Sequence, residues 1–123
     1  MREIKFRAWD KKNKLILKIF DNTTEVNWFM PNVNKKYEVT QYIGLKDNRG
    51  VDIYDEDIIE FYDGDILVKG EVEWLQEGCS FVVRVSNETE QHYLEMYGDK
   101  NFNCNVIGNI YENRDLLENY LII

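Results

Sequence analysis

Apolar and polar side chains alternate along most of this chain, and a period of two marks half-buried strands. Ile4, Phe6 and Ala8 alternate with Lys5, Arg7 and Trp9. The polar run Asp10 to Lys14 then turns the chain into a return strand over 15–20, so a β-hairpin opens the sequence. Tyr37 to Ile43 alternates again, and a turn ending at Gly50 follows, a natural site for positive φ. Residues 51–54 and 58–62 read as short strands, with Asp63-Gly64-Asp65 as a tight hairpin turn. The cleanest alternation runs from Ile66 to Leu75. Gly70 sits on its inner face, where a strand can bend around a barrel corner. Cys79 to Val85 and Cys104 to Ile110 complete the strand set.

Two segments break this rhythm. Residues 21–36 are rich in Asn and Asp, which favour turns, and contain the only proline, Pro31. Within them, Trp28, Phe29 and Met30 either fold back onto the core or stay exposed as a partner-binding patch. Residues 86–103 read as a loop holding a short strand or helical turn. At the end the period changes: Leu116, Leu117, Tyr120 and Leu121 have helical spacing, with Asn113 as N-cap and Asp115 in the first turn. Many short strands, tight turns and one terminal helix predict a small, mostly-β barrel. The expected layout is one domain over 1–123: a hairpin and loop over 1–36, a barrel over 37–111 and a helix over 113–121.

The 123 residues suit one domain, which buries roughly two-thirds of its unfolded surface. A 44% hydrophobic fraction excludes a disordered chain. The net charge of −8 argues against direct nucleic-acid binding, because Lys and Arg supply the affinity for phosphate. No stretch is long and apolar enough to span a membrane, and no signal peptide stands out, so a reduced, cytoplasmic protein is the expectation.

Three blocks stand out in order: REIKFRAWDKKNK, QYIGLKDNRGVDIYDEDII and VIGNIYENRDLL. Together they resemble the YopX family, small proteins encoded by phages and prophages of Gram-positive bacteria. The resemblance implies an SH3-like β-barrel behind a variable N-terminal region, a C-terminal helical cap, and self-association. It implies no reaction. The chain departs from the family at two positions. Glu56 stands where the family's IYEGDIV phrase has glycine, and Arg114 where proline often starts the helix.

Candidate chemistry is sparse. Asp55, Asp57 and Glu60, with Glu56, form the densest acidic cluster and are the only candidates for a hard cation. Their spacing does not match an EF-hand, and solvated turn charges are the plainer reading. His92 is the only histidine and has no nucleophile context around it. Cys79 and Cys104 both fall in an apolar register and read as small core residues without zinc-ligand spacing. Trp9 beside Lys11, Lys12, Lys14 and Lys18 could form a base-stacking platform, but in a chain of net charge −8 a solvated hairpin tip is the plainer reading. No cofactor is expected. The favoured function is a non-enzymatic interaction module that pairs with itself and possibly a host protein. An acidic mimic of nucleic acid and a metal-dependent hydrolase are the alternatives.

Overall fold

A computed structural model describes residues 4–19, 33–63, 65–85, 91–93 and 103–117. Among them nine strands and one short helix form two antiparallel sheets. The chain runs β1 (Phe6–Asp10), β2 (Leu15–Ile19), α1 (Val33–Lys36), β3 (Tyr37–Lys46), β4 (Asp52–Tyr54), β5 (Asp57–Asp63), β6 (Ile66–Leu75), β7 (Ser80–Val85), β8 (Gln91–Tyr93) and β9 (Cys104–Asn109). The four-stranded sheet is ordered β2-β1-β3-β4 and the five-stranded sheet β8-β7-β6-β5-β9. The mostly-β class and the expected strand positions hold.

The core lies between the sheets. Ile43, Leu45 and Ile53 from the first sheet meet Ile59, Val72, Val83 and Val85 from the second. Burying each such side chain stabilises the fold by about 1.5–3 kcal/mol relative to leaving it exposed. Ile58 and Val82 point away from this cluster by strand parity yet are fully buried, so the second face of the five-stranded sheet is covered there too.

Some expectations need correcting. Cys79 is not a core residue: it sits exposed in the turn before β7, at φ 49°. The strand begins at Ser80, and its core-facing register begins at Phe81, two residues after Cys79. Gly70 lies on the buried face of β6 as expected, and it also permits a close approach. A Cβ at this position would lie 2.5 Å from Val83 Cγ1 and 2.9 Å from the Arg84 carbonyl oxygen. In β1 both faces are buried from Arg7 onward, Ala8 at 0% and Arg7 and Trp9 at 8% exposed, whereas Ile4 is 70% exposed. At the C-terminal end, residues 115–117 form a helical turn. Asn113 does not use its side chain as the expected cap: its Oδ1 accepts the Asn109 N–H at 3.2 Å. The rest of the predicted helix lies outside the described residues, as does the Trp28-Phe29-Met30 patch.

Candidate functional site

The three sequence blocks converge on one seam between the sheets. Its first tie is the loop from Asp47 to Val51, shaped by Gly50 at φ 80°. Asp47 Oδ1 accepts the backbone N–H groups of Arg49 at 2.8 Å and Val51 at 2.9 Å. Its Oδ2 accepts the Val106 N–H of β9 at 3.0 Å. Arg49 Nη2 contacts Asp47 Oδ2 at 3.2 Å and donates to the Val106 carbonyl at 2.6 Å. Asn48 N–H adds a bond to the Cys104 carbonyl at 2.9 Å. Burial works to raise the Asp47 pKa. The N–H groups of Val106, Val51 and Arg49, with the Arg49 guanidinium, more than offset it and hold the carboxyl below its ordinary value.

The second tie is Arg7 with Asp57. Arg7 Nη2 lies 2.6 Å from Asp57 Oδ1, and the Asp57 side chain is 1% exposed. That contact is off the N–H axis, so Oδ1 has charge compensation but no aligned hydrogen bond. Asp57 Oδ2 accepts the Tyr54 N–H at 2.8 Å. Arg7 also donates from Nε to Thr40 Oγ1 at 3.1 Å, and its guanidinium stands 4.7 Å over the Tyr54 ring. Burial pushes the Asp57 carboxyl up to about 6 despite Arg7 and the Tyr54 N–H. Burial likewise raises the Tyr54 phenol to about 12, and its buried oxygen has no hydrogen-bond partner among the described residues.

The third tie is the two-residue turn between β4 and β5. Asp55 N–H donates to the Gln41 carbonyl of β3 at 2.9 Å. Glu56 N–H donates to the Val72 carbonyl of β6 at 2.7 Å, and the Glu56 carbonyl accepts from Ile110 N–H at 3.1 Å. Glu56 holds φ 71°, so the glutamate keeps the left-handed backbone that a glycine would adopt freely. Burial, with repulsion from Glu73, raises Asp55 to about 6 although the Glu56 N–H opposes it. Burial raises Glu56 to about 7, with Asp55, Glu71 and Glu38 adding repulsion.

Around these ties, Asp52 bridges Lys5 at 2.8 Å and Lys46 at 2.5 Å, and both ammonium groups lie over the Tyr42 ring at 5.1 Å and 6.0 Å. Trp9 of the first block stacks on Tyr111 of the last, with centroids 5.6 Å apart. Asn109 shapes the exit of β9, its Oδ1 accepting Tyr111 N–H at 3.0 Å and Glu112 N–H at 2.9 Å. A cleft of about 380 Å³ opens over the seam, lined by Arg7, Ile16, Lys46, Asp52, Tyr54 and Asp57 among others. The charges at its wall are already paired, Arg7 with Asp57 and Lys46 with Asp52.

The sequence-predicted candidates separate in space and role. Asp57 is buried and tied to Arg7, Asp55 is half-buried beside Glu73, and Glu60 sits in β5 opposite Lys69 and Asn105. Among the described residues no three His, Cys, Asp or Glu side chains come together to hold a metal ion. His92 lies in β8, across from Val83. Cys104 is buried, and burial pushes its thiol up to about 12, so the thiolate is suppressed. Arg7, Thr40 and Asp47 were not singled out from sequence. Asp47 carried a usable signal, an Asx residue three positions before a turn glycine.

These features define a small, mostly-β protein whose three sequence blocks join two sheets. A family model described as YopX protein matches residues 5–118, and the chain belongs to the YopX family. Among solved structures, the crystal structure of protein EF1440 from Enterococcus faecalis is similar. It shares 22% identity, over 95% of this chain and 99% of that one, with a TM-score of 0.54, a likeness of fold alone. No curated protein matches. No helix among the described residues is long and apolar enough to cross a membrane.

Proposed function

We propose that the chain is a non-enzymatic protein-interaction module that works as a homo-oligomer, a phage or prophage accessory protein acting in the host cytoplasm. The observation behind this reading is the end of the β5–β6 hairpin. There Tyr62 is 69% exposed and Leu67 43%, and the two face each other directly across the ladder, while Ile66, 67% exposed, projects from the other face of the same hairpin end. Contiguous exposed apolar side chains mark interaction surfaces, and tyrosine is enriched in them. The seam residues, by contrast, are committed to joining the sheets. In the same reading the five-stranded sheet belongs to an SH3-like barrel, and the turn at 115–117 begins a capping helix. Light scattering tests the self-association. The wild-type mass rises with concentration, and Tyr62→Glu with Leu67→Glu abolishes the rise. A concentration-independent monomer, with no host protein captured by the wild type and lost by the double variant, overturns the proposal.

A second reading keeps the acidic mimic of nucleic acid. Asp55, Glu56 and Glu71 interact at one place, with Glu38 and Glu73 beside them. It requires the wild type to inhibit a host DNA-binding enzyme and the Glu71→Gln, Glu73→Gln variant to lose that inhibition. The metal-dependent hydrolase has no comparable support, since Asp57 is engaged by Arg7 and the Tyr54 N–H.

A further inference from the structure

The turn from Asp55 to Asp57 is where the two sheets are stitched together. Its amides and carbonyl reach β3 at Gln41, β6 at Val72 and the β9 exit at Ile110. The same residues carry carboxyl groups packed against more carboxyls. Glu56 faces Asp55 in the turn, Glu71 from β6 and Glu38 from β3. Asp55 faces Glu73 from β6. The cations nearby are unequal to this charge. Arg7 from β1 is the cation acting on Asp55, Glu56 and Asp57, and it is already paired with Asp57. Arg84 from β7 is held by Glu73 at 2.7 Å, and Arg114 stands beside Glu71. Ionising the turn therefore adds like charge, in partly buried surroundings, at the joint on which both sheets depend.

We propose that the Asp55–Glu56 turn is a proton-operated latch: with its two carboxyls protonated the two sheets close on each other, and with them ionised the seam loosens, while Asp57 stays charged against Arg7. The direction follows from linkage. These groups hold protons more tightly in the folded chain, at about 6 for Asp55 and about 7 for Glu56. Their stabilising contribution is full below the unfolded carboxylate range and is lost as pH rises through about 6 to 7. The latch thus opens across near-neutral pH, a range that an isolated carboxylate does not sense.

Amide hydrogen exchange on the full chain tests this, with rates corrected for base catalysis. From about pH 5.5 to about pH 8, protection of the Asp55, Glu56 and Ile110 amides falls about tenfold or more, the change that one pKa unit of linkage gives. The β6–β7 amides around Val83 keep their protection. Glu56→Gln removes the charge with little change of shape and flattens the profile at all three amides. If that variant fails to fold, Glu71→Gln serves: it removes a repulsion that raises the Glu56 pKa, so the loss of protection becomes smaller and is complete at lower pH. A Glu56→Gln profile parallel to wild type, unchanged wild-type protection, or an equal loss throughout both sheets overturns the latch.

Discussion

Two acidic turns flank β4, and burial has opposite outcomes in them. On one side the Asp47 carboxylate is met by three backbone N–H groups and an arginine, and its pKa falls. On the other side Asp55 and Glu56 are half-buried among further carboxyls, and their pKa values rise. Desolvation raises all of them, so the number of donors aimed at each carboxylate decides the sign. The first turn is a fixed clasp. The second is a joint whose strength depends on protonation.

Asp57 stands between these cases, buried yet served by Arg7, and breaking it gives the largest effect. Asp57→Ala leaves the Arg7 guanidinium buried without its counter-charge and is expected to cost about 3–5 kcal/mol in urea unfolding. Replacing both residues by apolar side chains recovers much of that loss, which a double-mutant cycle measures. Asp47→Ala strands the Arg49, Val51 and Val106 N–H groups and is expected to cost about 2–3 kcal/mol by the same measurement.

The two turns also divide the pH profile. The lowered groups, Asp47 and Asp52, stabilise fully above the ordinary carboxylate value of 3.8 and lose that contribution as pH falls below it. The raised groups act in reverse, losing theirs as pH rises through 6 to 7. Urea midpoints therefore peak between about pH 4 and 6. Asp47→Asn flattens only the acid limb, and Glu56→Gln only the neutral one. The smallest effect is Glu56→Gly, which relieves the left-handed strain and removes the charge. It is expected to gain about 0.5–1 kcal/mol near pH 5, where little of the gain comes from charge.

Much of the fold was legible because strands announce themselves locally. The alternation of Ile66 to Leu75 and the Gly50 turn needed no distant partner to be read. Glu56 was legible as a position, since the family's glycine there pointed to the left-handed backbone that the glutamate retains. The seam was not legible. Nothing near Arg7 in sequence announces Asp57, and an arginine on an alternating strand reads as solvent-facing until a carboxylate from another sheet is known to meet it. Asp47 could be read as a turn residue but not as a tie to Val106. Cys79 failed for a local reason: a turn residue fell by chance into the register of the strand after it.

The Trp9–Tyr111 stack has a consequence for how the protein is made. It joins the first strand to the turn after the last one, and the Asp47–Val106 tie likewise waits for β9. A ribosome delivers the earlier partner long before the later one, at about 5–20 residues per second. The early hairpin must therefore wait, with Arg7 still lacking its buried setting, while the rest of the chain emerges. Completion of this fold waits for β9 and the turn after it, and a nascent chain stalled before Cys104 would present an open seam to the cell's chaperones and proteases.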